Sequence, residues 1–235
     1  MDQDQDFNNY SQSYQEVLDK NFKITGFDAA YFAKVKGQQL KGLNSAVCNE
    51  PIRFLDYGCG VGSFSVNFKD NFPKASYVGV EPAEEMVKEA KVKYGEYGDF
   101  YVRESSEWKN QSYDLILSKG VFHYIPHDEH EKTLKELTSL LTVSGKINIW
   151  ESNPFNPFTR IIFNTCPFDR GCVLIYPGKM KSLFRRVGLK SVQLKYTTFF
   201  PKFLSRLIPL EPYLEWFPLG GQYVTIGESS KGPNS

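Results

Sequence analysis

The chain has 235 residues, 41% of them hydrophobic and 15% aromatic, with a formal net charge of +1. That length suits one domain with additions, long enough to bury a full sheet and its helices. Acids and bases are interspersed, which excludes the basic face of a nucleic-acid binder, so no nucleic-acid partner is expected.

Met1 to Asn9 is acidic and amide-rich rather than basic and then apolar, so it does not read as a leader, and residues 1–9 are expected to fray. From Tyr10 to Leu40 the pattern is helical, with Tyr14, Val17 and Leu18 on one stripe and Tyr31, Phe32 and Val35 on another. Gly26 and Asp28 separate the two, Asp28 as a candidate N-cap. Residues 1–45 therefore read as a helical cap, and residues 46–151 as the core that follows.

Arg53-Phe54-Leu55 starts a buried strand that runs into Asp56-Tyr57-Gly58-Cys59-Gly60-Val61-Gly62. Glycines let such a loop bend tightly and approach a ligand. A dinucleotide loop reads G-x-G-x-x-G and faces a pyrophosphate. Here the spacing is G-x-G-x-G, and a carboxylate at Asp56 repels phosphate but suits a cationic amino-acid group. S-adenosylmethionine carries an ammonium and a sulfonium and no phosphate; a tight turn without a ligand is the alternative on the loop alone.

Phe64, Val66 and Phe68 open a crossover helix that ends near Pro73. Tyr77 to Glu81 is a second strand ending in an acid, which is placed to take both hydroxyls of a ribose. Pro82 and a helical run (Ala83, Met86, Val87, Ala90) follow, then a third strand at Phe100-Tyr101-Val102. The fourth strand is Tyr113 to Ser118, a helix is expected over Asp128 to Leu141, and the fifth strand is Lys146 to Trp150. Two interruptions break the remaining order: residues 152–178, and residues 199–221 within 179–227. Between and after them come a helix (Lys179 to Val187), a strand (Ser191 to Thr198), the last strand (Gln222 to Ile226) and a flexible tail, 228–235.

Phe54 to Gly62, Val78 to Glu81, Tyr113 to Ser118 and Gly145 to Trp150 resemble the signature strands of the class I S-adenosylmethionine-dependent methyltransferases, over roughly residues 50 to 150. The resemblance implies an α/β, Rossmann-like fold with a seven-stranded sheet whose last strand is antiparallel. It implies S-adenosylmethionine as cofactor, held by Asp56, Gly58, Cys59, Gly60, Gly62, Glu81, Pro82, Ser105, Ser118 and Lys119. Family members place adenine contacts just after the third strand, where this chain offers Glu104, Ser105 and Ser106 without the usual aspartate. The N-P-P-[YF]-like motif of base-amine methylating enzymes is absent after Ser118, which speaks against nucleobase amines as acceptors. Asn153 to Pro157, Cys166 to Asp169 and Pro218 to Tyr223 are similar to a bacterial methyltransferase subgroup of cell-surface glycan and glycolipid pathways.

His123, just past the fourth strand, is the best-placed titratable group, as a base for an acceptor hydroxyl or as a pocket residue; Glu151 is the alternative base. A carboxylate acceptor needs no base. His127 and His130 read as solvated. No metal site is expected, and four cysteines without C-x-x-C spacing read as buried free thiols.

Both interruptions leave the carboxyl ends of parallel strands, so they are expected over the ligand edge as an aromatic lid, with a subdomain core of their own as a compatible reading. In residues 199–221, Lys202, Arg206, Glu211 and Glu215 interrupt the apolar run, so it does not span a bilayer. Its Phe203, Leu204, Leu207, Tyr213, Trp216 and Phe217 exceed what a surface connection needs. The expectation is O-methylation of a small-molecule, glycan or lipid-linked acceptor, with peripheral membrane contact through 199–221 in a cytoplasmic protein. A packed lid over a small polar acceptor, aminopropyl transfer, and a non-catalytic cofactor-binding or membrane-surface scaffold remain open.

Overall fold

The computed structural model describes residues 7–8, 14–22 and 25–231. Seven strands, β1 (Arg53–Tyr57), β2 (Ser76–Glu81), β3 (Asp99–Val102), β4 (Tyr113–Lys119), β5 (Leu141–Ser152), β6 (Lys190–Thr197) and β7 (Gln222–Glu228), form one sheet in the order β3-β2-β1-β4-β5-β7-β6. β1 to β5 are parallel, and β7 lies antiparallel between β5 and β6, as the family resemblance implies. The winding reverses between β1 and β4, so the loops after these strands part and leave a crevice.

Helices cover both faces, which is why the central strands are continuous apolar runs rather than alternating ones. On one face α2 (Ala29–Leu43), α3 (Phe64–Asn71) and α4 (Glu84–Tyr94) bring Leu40, Phe64, Phe68, Val87 and Ala90 against Phe54, Leu115 and Trp150. On the other, α5 (His130–Ser139) and α7 (Pro177–Arg186) bring Leu134, Leu137, Met180 and Phe184 against Leu55, Ile116 and Ile147. α1 (Tyr14–Phe22) precedes them, and Asp28 caps α2 by accepting the Tyr31 N–H at 2.7 Å. Residues 1–6 and 9, Tyr10 and the side chain of Tyr14 lie outside the described residues.

Two boundaries and one burial differ from expectation. Leu141 pairs with Tyr113 across a bulge, so the apolar run after α5 is captured by the strand and β5 starts five residues early. His130 is buried, its Nε2 within 2.8 Å of the Phe122 carbonyl and 2.9 Å of that of Ile125, and is not solvated. The tail is tied down through residue 231: Glu228 belongs to β7, and Lys231 Nζ donates to the carbonyls of Ser139 and Leu141. Residues 232–235 lie outside the described residues.

The first insertion holds a helix, α6 (Pro157–Thr165), which starts where Asn156 accepts the Thr159 N–H and Pro157 fills the first helical position. The second coils into 3₁₀ turns over Lys202–Tyr213, where Pro209 and Pro212 remove amide donors, and none of these residues is buried. Among the described residues no aromatic ring contact joins the two insertions, so the compatible reading of a shared aromatic core is not what links them. They are joined by polar bonds: Asn153 Nδ2 donates to the carbonyls of Pro218 and Gly220, Asn156 Nδ2 to that of Leu219, and Thr159 Oγ1 to that of Gly221. Glu211 folds back to accept the N–H groups of Thr198, Phe199 and Phe200. Several aromatic side chains are left outward, Phe158 at 69% and Phe203 at 82% exposure, whereas Phe163 is buried. No described helix is long and apolar enough to cross a membrane.

Candidate active site

A cavity of about 1730 Å³ opens over the ends of β1, β2 and β4, walled by the glycine loop, α2, α6 and the start of the second insertion. Pockets for one ligand hold roughly 300–1,000 Å³, so this space accommodates a cofactor and an acceptor together. α2 is part of the wall, with Phe32, Ala33 and Lys36 lining the cavity.

The loop after β1 is fixed by glycine. Gly58 has φ +82°, and a Cβ there would overlap the Val121 side chain. Gly62 has φ +78°, and its Cβ would stand 2.7 Å from Phe100 Cε1, so Gly62 serves helix-to-strand packing and does not line the cavity. Gly58 and Cys59 donate their N–H groups to the Val80 carbonyl, and Gly60 N–H donates to Glu81 Oε2 at 3.0 Å. The second carboxylate oxygen of Glu81 takes the Ala83 N–H at 3.3 Å. These bonds orient the Glu81 carboxylate at the cavity wall.

Of the residues expected to hold the cofactor, Gly58, Cys59, Gly60, Glu81, Pro82 and Lys119 line the cavity, and Asp56, Gly62, Ser105 and Ser118 do not. Asp56 is fully buried behind the loop; Oδ2 accepts the Tyr77 hydroxyl at 2.6 Å, and Oδ1 has no hydrogen-bond partner among the described residues. Burial pushes its pKa up, against the opposing pull of Lys119 and the Tyr77 hydroxyl. A carboxylate so enclosed does not reach a ligand ammonium directly. Ser105 sits in a turn, its N–H on the Val102 carbonyl and its hydroxyl bonded to Glu107; Ser118 is fully buried. Arg103, the first residue after β3, lines the wall instead. The expectation of an acidic or hydroxyl contact after that strand passed over it.

His123 is locked rather than poised. Its Nδ1 lies 2.7 Å from Glu151 Oε2 and its Nε2 3.2 Å from Asp169 Oδ1, an oxygen that also accepts the Tyr124 hydroxyl at 2.6 Å. Glu151 Oε1 meanwhile accepts the N–H groups of Val121 and Phe122 at 3.1 and 2.8 Å. Burial alone pulls the imidazole pKa down, but the two carboxylates outweigh it and hold His123 up at about 9. At neutral pH it is an imidazolium donating from both nitrogens, with no lone pair to take a proton. Glu151 is buried, bonded on both oxygens and absent from the cavity lining. Neither residue is arranged as a base; they join β4, β5 and the first insertion. Asp169, read only as part of a proline-punctuated stretch, completes the cluster because its carboxylate meets His123 and Tyr124 in the turn after β4.

Residues 54–145 match the methyltransferase domain family. The chain carries a class I methyltransferase domain. It is 25% identical to malonyl-[acyl-carrier protein] O-methyltransferase of Bacillus anthracis over 136 residues, 55% of this chain and 50% of that protein. It is 24% identical to trans-aconitate 2-methyltransferase of Rhodococcus jostii over 200 residues, 79% of this chain and 75% of that one. The chain thus spans about half the length of the first curated relatives it matches. In fold it is similar to an S-adenosylmethionine-dependent methyltransferase of Thermotoga maritima, with a TM-score of 0.65 and 20% identity over 95% of this chain and 98% of that one. The plantazolicin methyltransferase BpumL, solved with S-adenosylhomocysteine, aligns with a TM-score of 0.61 and 14% identity over 95% and 94%. S-adenosylmethionine is the cofactor of this domain class, and the wall here fits it: an oriented carboxylate at Glu81, a close-approach loop at Gly58 to Gly60, and room beyond.

Proposed function

We propose that the protein transfers a methyl group from S-adenosylmethionine to a carboxylate oxygen of an acceptor with a large apolar body. The observation that carries this reading is the locked His123. A sugar or alcohol hydroxyl is neutral near pH 7 and loses its proton as it attacks, which calls for a base within reach. With His123 charged and doubly bonded, and Glu151 buried, the residues expected to serve as base are both occupied. A carboxylate arrives already anionic. Two relatives have names that specify acids, a malonyl group and trans-aconitate.

The bound cofactor supplies an electrophilic methyl group on a sulfonium. The new O–CH₃ bond forms as the S–CH₃ bond breaks, the electron pair stays on sulfur, and no proton moves. Glu81, Pro82 and the Gly58 to Gly60 loop hold the adenosine side, while the insertions orient the acceptor and exclude water, the kind of positioning worth up to about 7–11 kcal/mol.

The apolar body is assigned to a shelf at the cavity mouth, where Phe158, Phe203 and Leu204 both line the cavity and face outward. Exposed apolar patches beside a site mark binding surfaces. Arg160, Lys202 and Arg206 punctuate this one, a composition that suits anionic lipid headgroups, so the shelf also serves as the peripheral membrane contact. A lipid-linked sugar would share the apolar body but brings a hydroxyl that lacks a base here.

The test incubates the full chain with methyl-labelled cofactor and dodecanoic acid in detergent, then extracts the organic phase. Alkali-labile label, the signature of a methyl ester, is expected. Label that resists alkali identifies a hydroxyl or amine acceptor and overturns the carboxylate reading.

A further inference from the structure

Lys36 projects from α2 into the cavity wall with only 5% of its surface exposed. Its Nζ donates to Gln222 Oε1 at 2.7 Å and lies 4.4 Å from the centre of the Trp150 ring. An ammonium has three N–H groups, and one oxygen acceptor with one aromatic face leaves part of that capacity unused. Lys119, also on the wall, lies with Nζ 4.7 Å from the Phe64 ring centre. Neither lysine makes an ion pair among the described residues. Asp56, the acid that acts on Lys119 through space, is sealed behind the loop on Tyr77. With no carboxylate in ion-pair range among the described residues, a buried ammonium at Lys36 is costly to keep charged. Burial, then repulsion from Lys119, pushes the Lys36 pKa well down, with Glu211 opposing weakly. A bound anion reverses both effects.

Position separates Lys36, though not Lys119, from the adenosine end. Trp150 belongs to β5 and Gln222 to β7, two and three strands along the sheet from the glycine loop on β1. At about 4.8 Å per strand, Lys36 stands roughly 10–14 Å from that loop, on the side away from Glu81. Lys119 ends β4 and lies between.

We propose that Lys36, with Lys119 beside it, forms a carboxylate-binding subsite that holds the acceptor's acid group. This rests on the reading of a carboxylate acceptor and names the residues that would select it. One carboxylate oxygen on Lys36 leaves the other to attack, and an acceptor without the negative charge leaves a buried amine uncompensated, which is the source of discrimination.

Binding of dodecanoate and of dodecanol to the full chain, each with saturating S-adenosylhomocysteine, separates the outcomes. In Lys36→Met, dodecanoate is expected to weaken about 10- to 100-fold, the range of hydrogen bonds to a charged group, with dodecanol and S-adenosylhomocysteine changed by less than about twofold. Should S-adenosylhomocysteine weaken instead while dodecanoate holds, the lysine serves the cofactor's own carboxylate and the proposal falls. Equal losses for dodecanoate and dodecanol reduce Lys36 to packing and also overturn it. Gln222→Glu carries the test where Lys36→Met does not fold: a built-in carboxylate beside Lys36 should expel dodecanoate to a similar degree, and undiminished binding refutes the subsite. Methyl-ester formation that persists unchanged in both variants sinks only the subsite, whereas a wild-type protein that binds no dodecanoate removes the carboxylate reading itself.

Discussion

The crevice at the sheet ends and the shelf made by the two insertions are built from the same residue types in opposite ways. Under the crevice, Phe54, Phe64, Phe68, Phe72, Tyr77 and Phe100 are all under 2% exposed, with Phe54 stacked on Phe68 at 3.8 Å between centroids. On the shelf, Phe203, Tyr213 and Trp216 are 82%, 77% and 74% exposed. What fixes the shelf is its polar base, the Asn153, Asn156 and Thr159 side chains on backbone carbonyls and Glu211 on three backbone amides. Aromatic content alone therefore does not distinguish a core from a contact surface. The bonds beneath it do.

The largest effect belongs to the buried carboxylate that ties these regions. Glu151→Ala leaves two backbone N–H groups and an imidazolium without their acceptor, and breaking a buried pair in this way costs about 3–5 kcal/mol, readable by urea unfolding. The charge part has a pH signature. His123 rises from 6.5 to about 9 on folding, so its contribution is complete below pH 6.5 and is lost as pH climbs through 9. A shift of that size corresponds to about 3 kcal/mol. Glu151→Gln keeps an oxygen for the two amides but drops the charge, so the fall in stability between pH 6.5 and 9 should flatten. A variant that keeps the wild-type slope would mean that the imidazolium is not held by this carboxylate.

Next comes the crevice's own ligand contact. Glu81→Ala should weaken S-adenosylhomocysteine binding by about 1.5–3 kcal/mol, the scale of hydrogen bonds made by a charged group. Calorimetry on the folded variant decides it. An unchanged dissociation constant would take Glu81 out of the ribose role and leave it as the brace of the Gly60 amide.

The strands and the glycine loop were legible in the sequence because their signals are local. Phe54 and Leu55 before Gly58, and Val78 to Val80 before Glu81, specify a buried strand, a turn and an acid at its end without knowledge of the rest. The site was less legible wherever a role depends on a partner distant in the chain. His123 reads as a base from its place after β4, and only Asp169, 46 residues on, together with Glu151 makes it a fixed cation. Asp56 reads as a ligand contact until Tyr77, on the next strand, is seen to take it. Lys36 carried no signal, since a lysine in an amphipathic helix is ordinarily solvated, and its burial comes from Trp150 and Gln222 across the sheet. The shelf was half legible: its excess of apolar residues was visible, but the polar bonds that leave them outward join positions more than 60 residues apart.

The smallest effect on stability, and the sharpest on function, is expected at the shelf. Phe203, Tyr213 and Trp216 pack little, so replacing all three by serine should alter the unfolding free energy by no more than about 0.5 kcal/mol per site, the range of surface substitutions. If the shelf were instead the packed lid of a small polar acceptor, large aromatic truncations would cost about 3–5 kcal/mol each, as they do in cores. Sedimentation with anionic liposomes reads the functional side of the same variant. The wild-type chain should co-sediment, less so as salt is raised, because Arg160, Lys202 and Arg206 act through a screened surface charge. The triple variant should stay in the supernatant while still binding S-adenosylhomocysteine, since the Glu81 end of the cavity is untouched. A triple variant that is strongly destabilised, or one that still sediments with the wild type, would erase the contrast between an aromatic core under the sheet and an aromatic surface above it.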